Sequence, residues 1–276
     1  MKNRTLFLAI LLAATTLLSC KKDTEKEEEK VTVLHCLPTN LSNNVLAFYS
    51  FSEGLLDDIS GNNHDLINNT TATPASDRNG KDSCAYEFHK GPTSGEFLTT
   101  SATSFLNNLN EFSVSLWYQP KDNSRGAGDF ESLIRREPVG SDPYKRGQLS
   151  IGLHDCRRAV FTRTNSVWDN MITNPGCEEE IIARTNNWAH LVATFRKSGI
   201  EMAIYRNGVL QESSTGDGDY GAGVVVTAQD NIGDLFLGKG YTGKIDDVII
   251  FDKTLSPAEV KTIYHLETCC EGKNAR

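Results

Sequence analysis

Asp246 and Asp247 stand side by side inside Thr242-Gly-Lys-Ile-Asp-Asp-Val-Ile-Ile-Phe-Asp252. In an extended strand Ile245, Asp247, Ile249 and Phe251 alternate with Asp246, Val248 and Ile250, so both faces are largely apolar and one acid points each way. Burying an unpaired carboxylate is costly, so a cation or a set of donors must stand against each. A second store of oxygens is Leu56-Asp-Asp-Ile-Ser-Gly-Asn-Asn-His-Asp65. Its Asp57, Asp58 and Asp65 supply turn geometry, and they are also hard-oxygen ligands of the kind calcium takes. Other acids read as bland: Glu178-Glu179-Glu180 as a solvated strand start, Asp129 and Glu131 as edge charges on one strand face. The six histidines are scattered, and His190 lies in an apolar strand that suits a core role. There is no nucleophile elbow, and Gly238-Lys-Gly240 lacks the spacing of a phosphate loop.

Binding chemistry has a better foothold. Sugars stack on ring faces and need donors and acceptors beside them. Trp168, in a long polar excursion with Arg163 and Asp169, offers that combination; Tyr144 and Tyr220 are further loop rings. Trp168 either takes a ligand or covers the edge of the fold. Trp117 and Trp188 lie in strand patterns and are expected to pack.

The elements that must position these residues are mostly strands. Phe112, Val114, Leu116 and Tyr118 share one face of a clean alternation. Trp188–Phe195 and Ile200–Tyr205 form a hairpin pair, and Asn207-Gly208 signals the tight turn into Val209-Leu210. Further strands are read at Val45–Phe51, 85–88, 96–100, 132–135, 148–153, 159–162 and 234–238. After the acid-bearing strand, Ser256, Pro257 and Glu259 make a capping box that opens one short helix. Many short strands with one confident helix predict an all-β, two-sheet antiparallel sandwich of a single domain.

The N-terminus is read separately. Lys2 and Arg4 precede an apolar run, Leu6 to Leu18, too short to span a bilayer. Leu17-Leu-Ser-Cys20 then resembles a bacterial lipoprotein signal, which implies a leader over 1–19 and a lipid on Cys20. Residues 20–40, rich in charge, read as a solvated tether, followed by the domain at 41–270 and a tail at 271–276. The implied place is the outer membrane, lipid-anchored and facing the cell surface. Loss of Lys2 and Arg4 leaves 26 basic residues against 36 acidic, a net charge of −10, which argues against nucleic acid. Six cysteines remain, Cys36, Cys84, Cys156, Cys177, Cys269 and Cys270; an even number in an exported chain favours disulfides. Cys156 and Cys177 are expected to close a local loop, worth about 3 kcal/mol, while the other four flank the domain and would fasten its ends.

Several fragments line up in order: Phe48-Tyr-Ser-Phe51, Leu56-Asp-Asp-Ile-Ser-Gly-Asn62, Phe112-Ser-Val-Ser-Leu-Trp117, Asn187-Trp-Ala-His-Leu-Val-Ala-Thr194, Ile204-Tyr-Arg-Asn-Gly-Val-Leu210 and Gly243-Lys-Ile-Asp-Asp-Val248. The set resembles the laminin-G-like, concanavalin A-like jelly rolls of bacterial surface proteins. That resemblance implies a structural calcium between the Asp57–Asp65 loop and Asp246 or Asp247. The alternative is that the loop acids cap turns while a strand acid pairs with Lys244 or Arg78. The fold's laminarinase-type hydrolases carry E-x-D-x-x-E along one strand; no such run occurs here. The fold hosts many functions, and the expected one is a non-enzymatic module binding glycan; the alternatives are a protein-binding adhesion domain, then a glycosidase or polysaccharide lyase of the same fold with a non-standard acid pair.

Overall fold

The computed structural model describes residues 36–89, 95–121, 130–136, 145–163, 165–170, 176–216 and 227–269. Among the described residues there are sixteen strands and three α-helices. In chain order they are α1 (Thr39–Ser42), β1 (Val45–Tyr49), β2 (Thr73–Ala75), β3 (Ala85–Phe88), β4 (Leu98–Thr100) and β5 (Glu111–Pro120). β6 (Glu131–Arg136), β7 (Lys145–Gly147), β8 (Ser150–His154), β9 (Arg158–Thr162) and β10 (Ser166–Trp168) follow. Then come α2 (Cys177–Arg184), β11 (Ala189–Arg196), β12 (Glu201–Arg206), β13 (Val209–Ser214), β14 (Thr227–Gln229), β15 (Leu235–Leu237), β16 (Gly243–Phe251) and α3 (Pro257–Tyr264).

They build two antiparallel sheets. The larger runs β13-β12-β11-β5-β16-β3-β2, with β1 beside the far end of β16; the smaller runs β10-β9-β8-β6-β15-β4. A short parallel pair, β7 with β14, stands apart. The two-sheet sandwich expected from strand spacing is therefore present, and with it the jelly roll that the resemblance implies. Its core lies between the sheets, where Phe112, Val114, Leu116 and Tyr118 of β5 face Ile151, Leu153 and Phe161 of the smaller sheet. The Phe112 and Phe161 rings meet edge-on at 6.2 Å, an orientation that their quadrupoles favour.

Part of the outer face of the larger sheet is buried too. Phe48, Val192, Ile249 and Phe251 carry a second core under Leu255, Val260 and Ile263. This is why β16 is apolar on both faces. Ser256 caps α3 through its hydroxyl and Glu259 bonds back to the cap, the box read from sequence.

Four sequence expectations need correction. The acids of β16 do not point opposite ways. A bulge between Asp246 and Ile249, with Asp247 at φ 43°, inserts one extra residue and sends both carboxylates to the outer face. The long polar stretch around Trp168, residues 163–179, is partly regular, since it holds β10 and the start of α2. Glu178–Glu180 form the first turn of that helix, not of a strand, where they complement the N-terminal dipole, and Glu180 is buried against Arg184 at 2.6 Å. Packed chain also begins before residue 41, because Leu37 is buried and Cys36 is bonded to Cys269.

Cys156 and Cys177 are bonded as well, closing the loop that leads into α2. Cys84 is disulfide-bonded; Cys270 lies outside the described residues, as do Cys20, Asp129, Tyr144 and Tyr220. No helix among the described residues is long and apolar enough to cross a membrane.

Candidate functional site

The open face of the smaller sheet holds a groove of about 420 Å³ lined by Phe130, Arg135, Ser150, His154, Val160, Thr162, Ser166 and Trp168. Strand register explains how these distant residues meet. Ser166, Thr162, Ser150 and Arg135 are successive cross-strand partners over β10, β9, β8 and β6. With strands about 4.8 Å apart, that polar row is about 14 Å long. Two residues along the strands a second row runs Trp168, Val160, Gly152. Rings stand over this floor: His154 is 5.9 Å from Trp168 and 6.1 Å from Phe130. The Arg158 guanidinium sits 5.3 Å from the Trp168 ring and donates to the Asp169 carbonyl, which holds the indole at the groove's edge. From the opposite sheet, Glu212 accepts the Trp168 backbone N–H at 2.6 Å.

Gly152 leaves room for the Phe130 ring. A Cβ there would come 2.5 Å from the Glu131 carbonyl and 2.8 Å from the ring. Gly152→Ala is expected to cost about 1–3 kcal/mol by overpacking and to move Phe130 out of the groove. Denaturant unfolding checks the first effect; an unchanged midpoint would refute it.

Of the residues grouped with Trp168 on sequence, Arg163 and Asp169 do not line the groove. Arg163 is buried, forks onto Asp230 at 2.8 and 2.9 Å and lies 4.1 Å over the Phe195 ring. Asp169 is fully buried, accepts the Ala159 N–H at 2.9 Å and pairs with Arg184 of α2. Asp169 ties β9 to α2, whereas Arg163 ties the end of β9 to the Gln148 carbonyl and Asp230. Tyr144 lies outside the described residues. The groove's other residues are spread over four strands, β6, β8, β9 and β10, and only register unites them.

The acids expected to hold calcium are otherwise engaged. Asp58 accepts backbone N–H bonds from Phe48, Ser60 and His64 at 2.9–3.0 Å, and Asp65 accepts one from Asp58 at 2.7 Å. Asp57 is exposed. Asp246 and Asp247 both accept from Arg78 Nη1, at 2.8 and 2.7 Å. The cation between them is thus a guanidinium, supplied from 168 residues away. Among the described residues these five acids form no converging ligand set, so they do not fit a calcium ion. Asp155, Cys156 and Cys177 do converge, but the two sulfurs are spent on each other. A chelator is accordingly expected to leave the melting temperature unchanged; a fall on adding it, reversed by calcium, would contradict this.

The strand acids are still under electrostatic stress. Burial, then the charge of Asp247, pushes the Asp246 carboxyl well above its ordinary range, against the pull of Arg78. Burial also raises Asp247, again opposed by Arg78. Nearby, the Ser115 hydroxyl and His190 Nε2 are 2.8 Å apart. This is no catalytic pair. Both are buried, no carboxylate orients the ring, and burial with the charge of Arg78 depresses the imidazole to about 3. The remaining sequence-flagged strand acid, Glu131, is buried against Arg157 at 2.9 Å.

Comparison with known proteins agrees with this architecture. No curated protein sequence matches the chain. The binding domain of botulinum neurotoxin serotype D is similar at 14% identity and a TM-score of 0.57, covering 82% of this chain and 52% of that one. The binding domain of botulinum neurotoxin DC, solved with rat synaptotagmin II, is similar at 16% identity and a TM-score of 0.58, covering 81% and 52%. The chain thus spans about half the length of these neurotoxin domains. Domain 4 of AbnA, a GH43 extracellular arabinanase from Geobacillus stearothermophilus, solved with arabinotriose, is similar at 21% identity and a TM-score of 0.54, covering 80% and 98%. These likenesses show a fold shared with binding domains. A family model described as the concanavalin A-like lectin/glucanases superfamily matches residues 92–261, more than half of the sequence, and the chain belongs to that superfamily.

Proposed function

We propose that the chain is a glycan-binding module of a lipid-anchored surface protein, and that the groove on the smaller sheet is where the glycan lies. The observation that carries this reading is the pairing of ring faces at Trp168, His154 and Phe130 with a row of hydroxyls and a guanidinium on the strands beneath. Flat rings bind the apolar face of a sugar while the row meets its hydroxyls. Among the described residues no carboxylate lines the groove, which favours binding over the two-acid chemistry of glycosidic cleavage. The arabinotriose held by a domain of the same fold supports a saccharide ligand.

Lipidation of Cys20 and export to the outer-membrane surface belong to this reading, on the strength of the N-terminal residues. A second reading, binding of a surface protein, draws support from the neurotoxin domain solved with synaptotagmin. A glycan array and polysaccharide-gel screen of the full mature chain tests the proposal. Specific retention by one glycan class is the expected result. Folded protein that binds no glycan would overturn it and favour the protein-partner reading.

A further inference from the structure

We propose that the outer face of the larger sheet carries a second saccharide-binding surface, distinct from the groove and centred on Trp188. Trp117 and His190 are cross-strand partners on β5 and β11, and Trp188 lies two residues from His190, on the same outer face. Both indoles are half-buried rather than packed away. With Tyr264 of α3, Asn79 and Glu267 they line an open depression of about 420 Å³. Sequence reasoning assigned both tryptophans to packing, and only Trp117 has ring partners.

The chemistry here is uncommitted. Among the described residues neither indole N–H donates a hydrogen bond, the Trp188 ring makes no ring-stacking or cation–π contact, and the Asn79 amide and Glu267 carboxylate have no partner. A large ring with a free face, two free N–H donors, an amide and a carboxylate is a set that neutral saccharides satisfy: the ring takes the C–H face, the polar groups take hydroxyls. The base is already rigid. The Arg78 guanidinium is 4.6 Å from the Trp117 ring and Tyr264 stacks at 5.7 Å and 21°, so little order is lost on binding. Two aspartates hold Arg78 from below, which leaves that cation neutralised and favours an uncharged ligand over an anionic one.

This inference does not depend on the groove, and one experiment separates them. The chain has three tryptophans, so an isotope-labelled indole spectrum reports Trp168 for the groove and Trp117 with Trp188 for this surface. The full mature chain is titrated with xylohexaose, mannohexaose, cellohexaose and arabinotriose. Saturable movement of the Trp188 and Trp117 signals is expected, persisting in Trp168→Ala. In Trp188→Ala the Trp117 response should be lost while the Trp168 signal keeps its position. Still signals from Trp117 and Trp188 throughout the panel would overturn the proposal, whatever Trp168 does. So would movement that vanishes in Trp168→Ala, since it would merely report the groove. Movement at Trp188 with Trp168 silent would uphold it and refute the groove reading.

Discussion

Replacing Arg78 by methionine is expected to destabilise the folded chain by about 3–5 kcal/mol at neutral pH, the usual cost of stranding a buried charge. Arg78 is the only cation that contacts the side chains of Asp246 and Asp247 among the described residues, and one oxygen of each already lacks a hydrogen-bond partner. Asp77, also buried, adds to the repulsion on both. The sign with pH follows from the raised carboxyls. A folded-state pKa above the unfolded one means that the folded chain holds its proton more tightly. Stability from these groups is therefore full below the unfolded value and is lost as pH rises through the folded value. Without the guanidinium both carboxyls rise further, so the deficit of Arg78→Met should be small near pH 4 and grow toward pH 8. Urea unfolding at the two pH values measures it, and equal deficits would refute the electrostatic account. Loss of the contact with Trp117 adds only about 0.5–1 kcal/mol, independent of pH. Neutralising all three residues together, as Arg78→Met with Asp246→Asn and Asp247→Asn, should recover much of the loss, because neutral packing substitutes well for a buried ion cluster.

Trp168→Ala is expected to weaken glycan binding by about 30-fold or more, the loss typical of a central aromatic anchor, while the melting temperature barely moves. The separation is anticipated because the indole is only half-buried, and its main structural tie, the N–H to Glu212, belongs to the backbone and survives. Trp168→Phe keeps a ring for stacking and should lose only a few-fold. Affinity electrophoresis on the glycan found by the array reads both variants. Equal retention of Trp168→Ala and the parent would remove the groove from consideration. A collapse of stability in step with binding would assign Trp168 to covering the sheet edge.

The fold was legible because its longest strands keep strict alternation and its last helix has a complete capping box. What escaped was structure fixed at long range or by local irregularity. Nothing in Ile245-Asp-Asp-Val248 announces the left-handed residue at Asp247, so alternation placed the acids on opposite faces when one guanidinium holds both. The helix Cys177–Arg184 was hidden by Ile181-Ile182, which favour strands. Its readable signals were three acids in the first turn and the Glu180–Arg184 spacing. Trp168 was found as a ring in a polar stretch, yet its supposed partners were chosen by nearness along the chain. On a strand that rule fails: Asp169, next in sequence, turns to the opposite face and into the interior. The true neighbours Ser150, His154 and Thr162 come from other strands, and their register follows from core packing rather than from any local motif.

The bond between Cys36 and Cys269 also decides how the domain bears force. Tension on whatever chain precedes Cys36 would otherwise act on β1, whose pairing with the end of β16 could be peeled apart one rung at a time. The disulfide diverts that tension to Cys269, beyond α3, and spans 233 residues in doing so. Load then enters both ends of the fold at a single covalent point, bypassing the hydrogen-bonded seam between them. The seam between β1 and β16 would therefore stay closed under a pull from the N-terminal side.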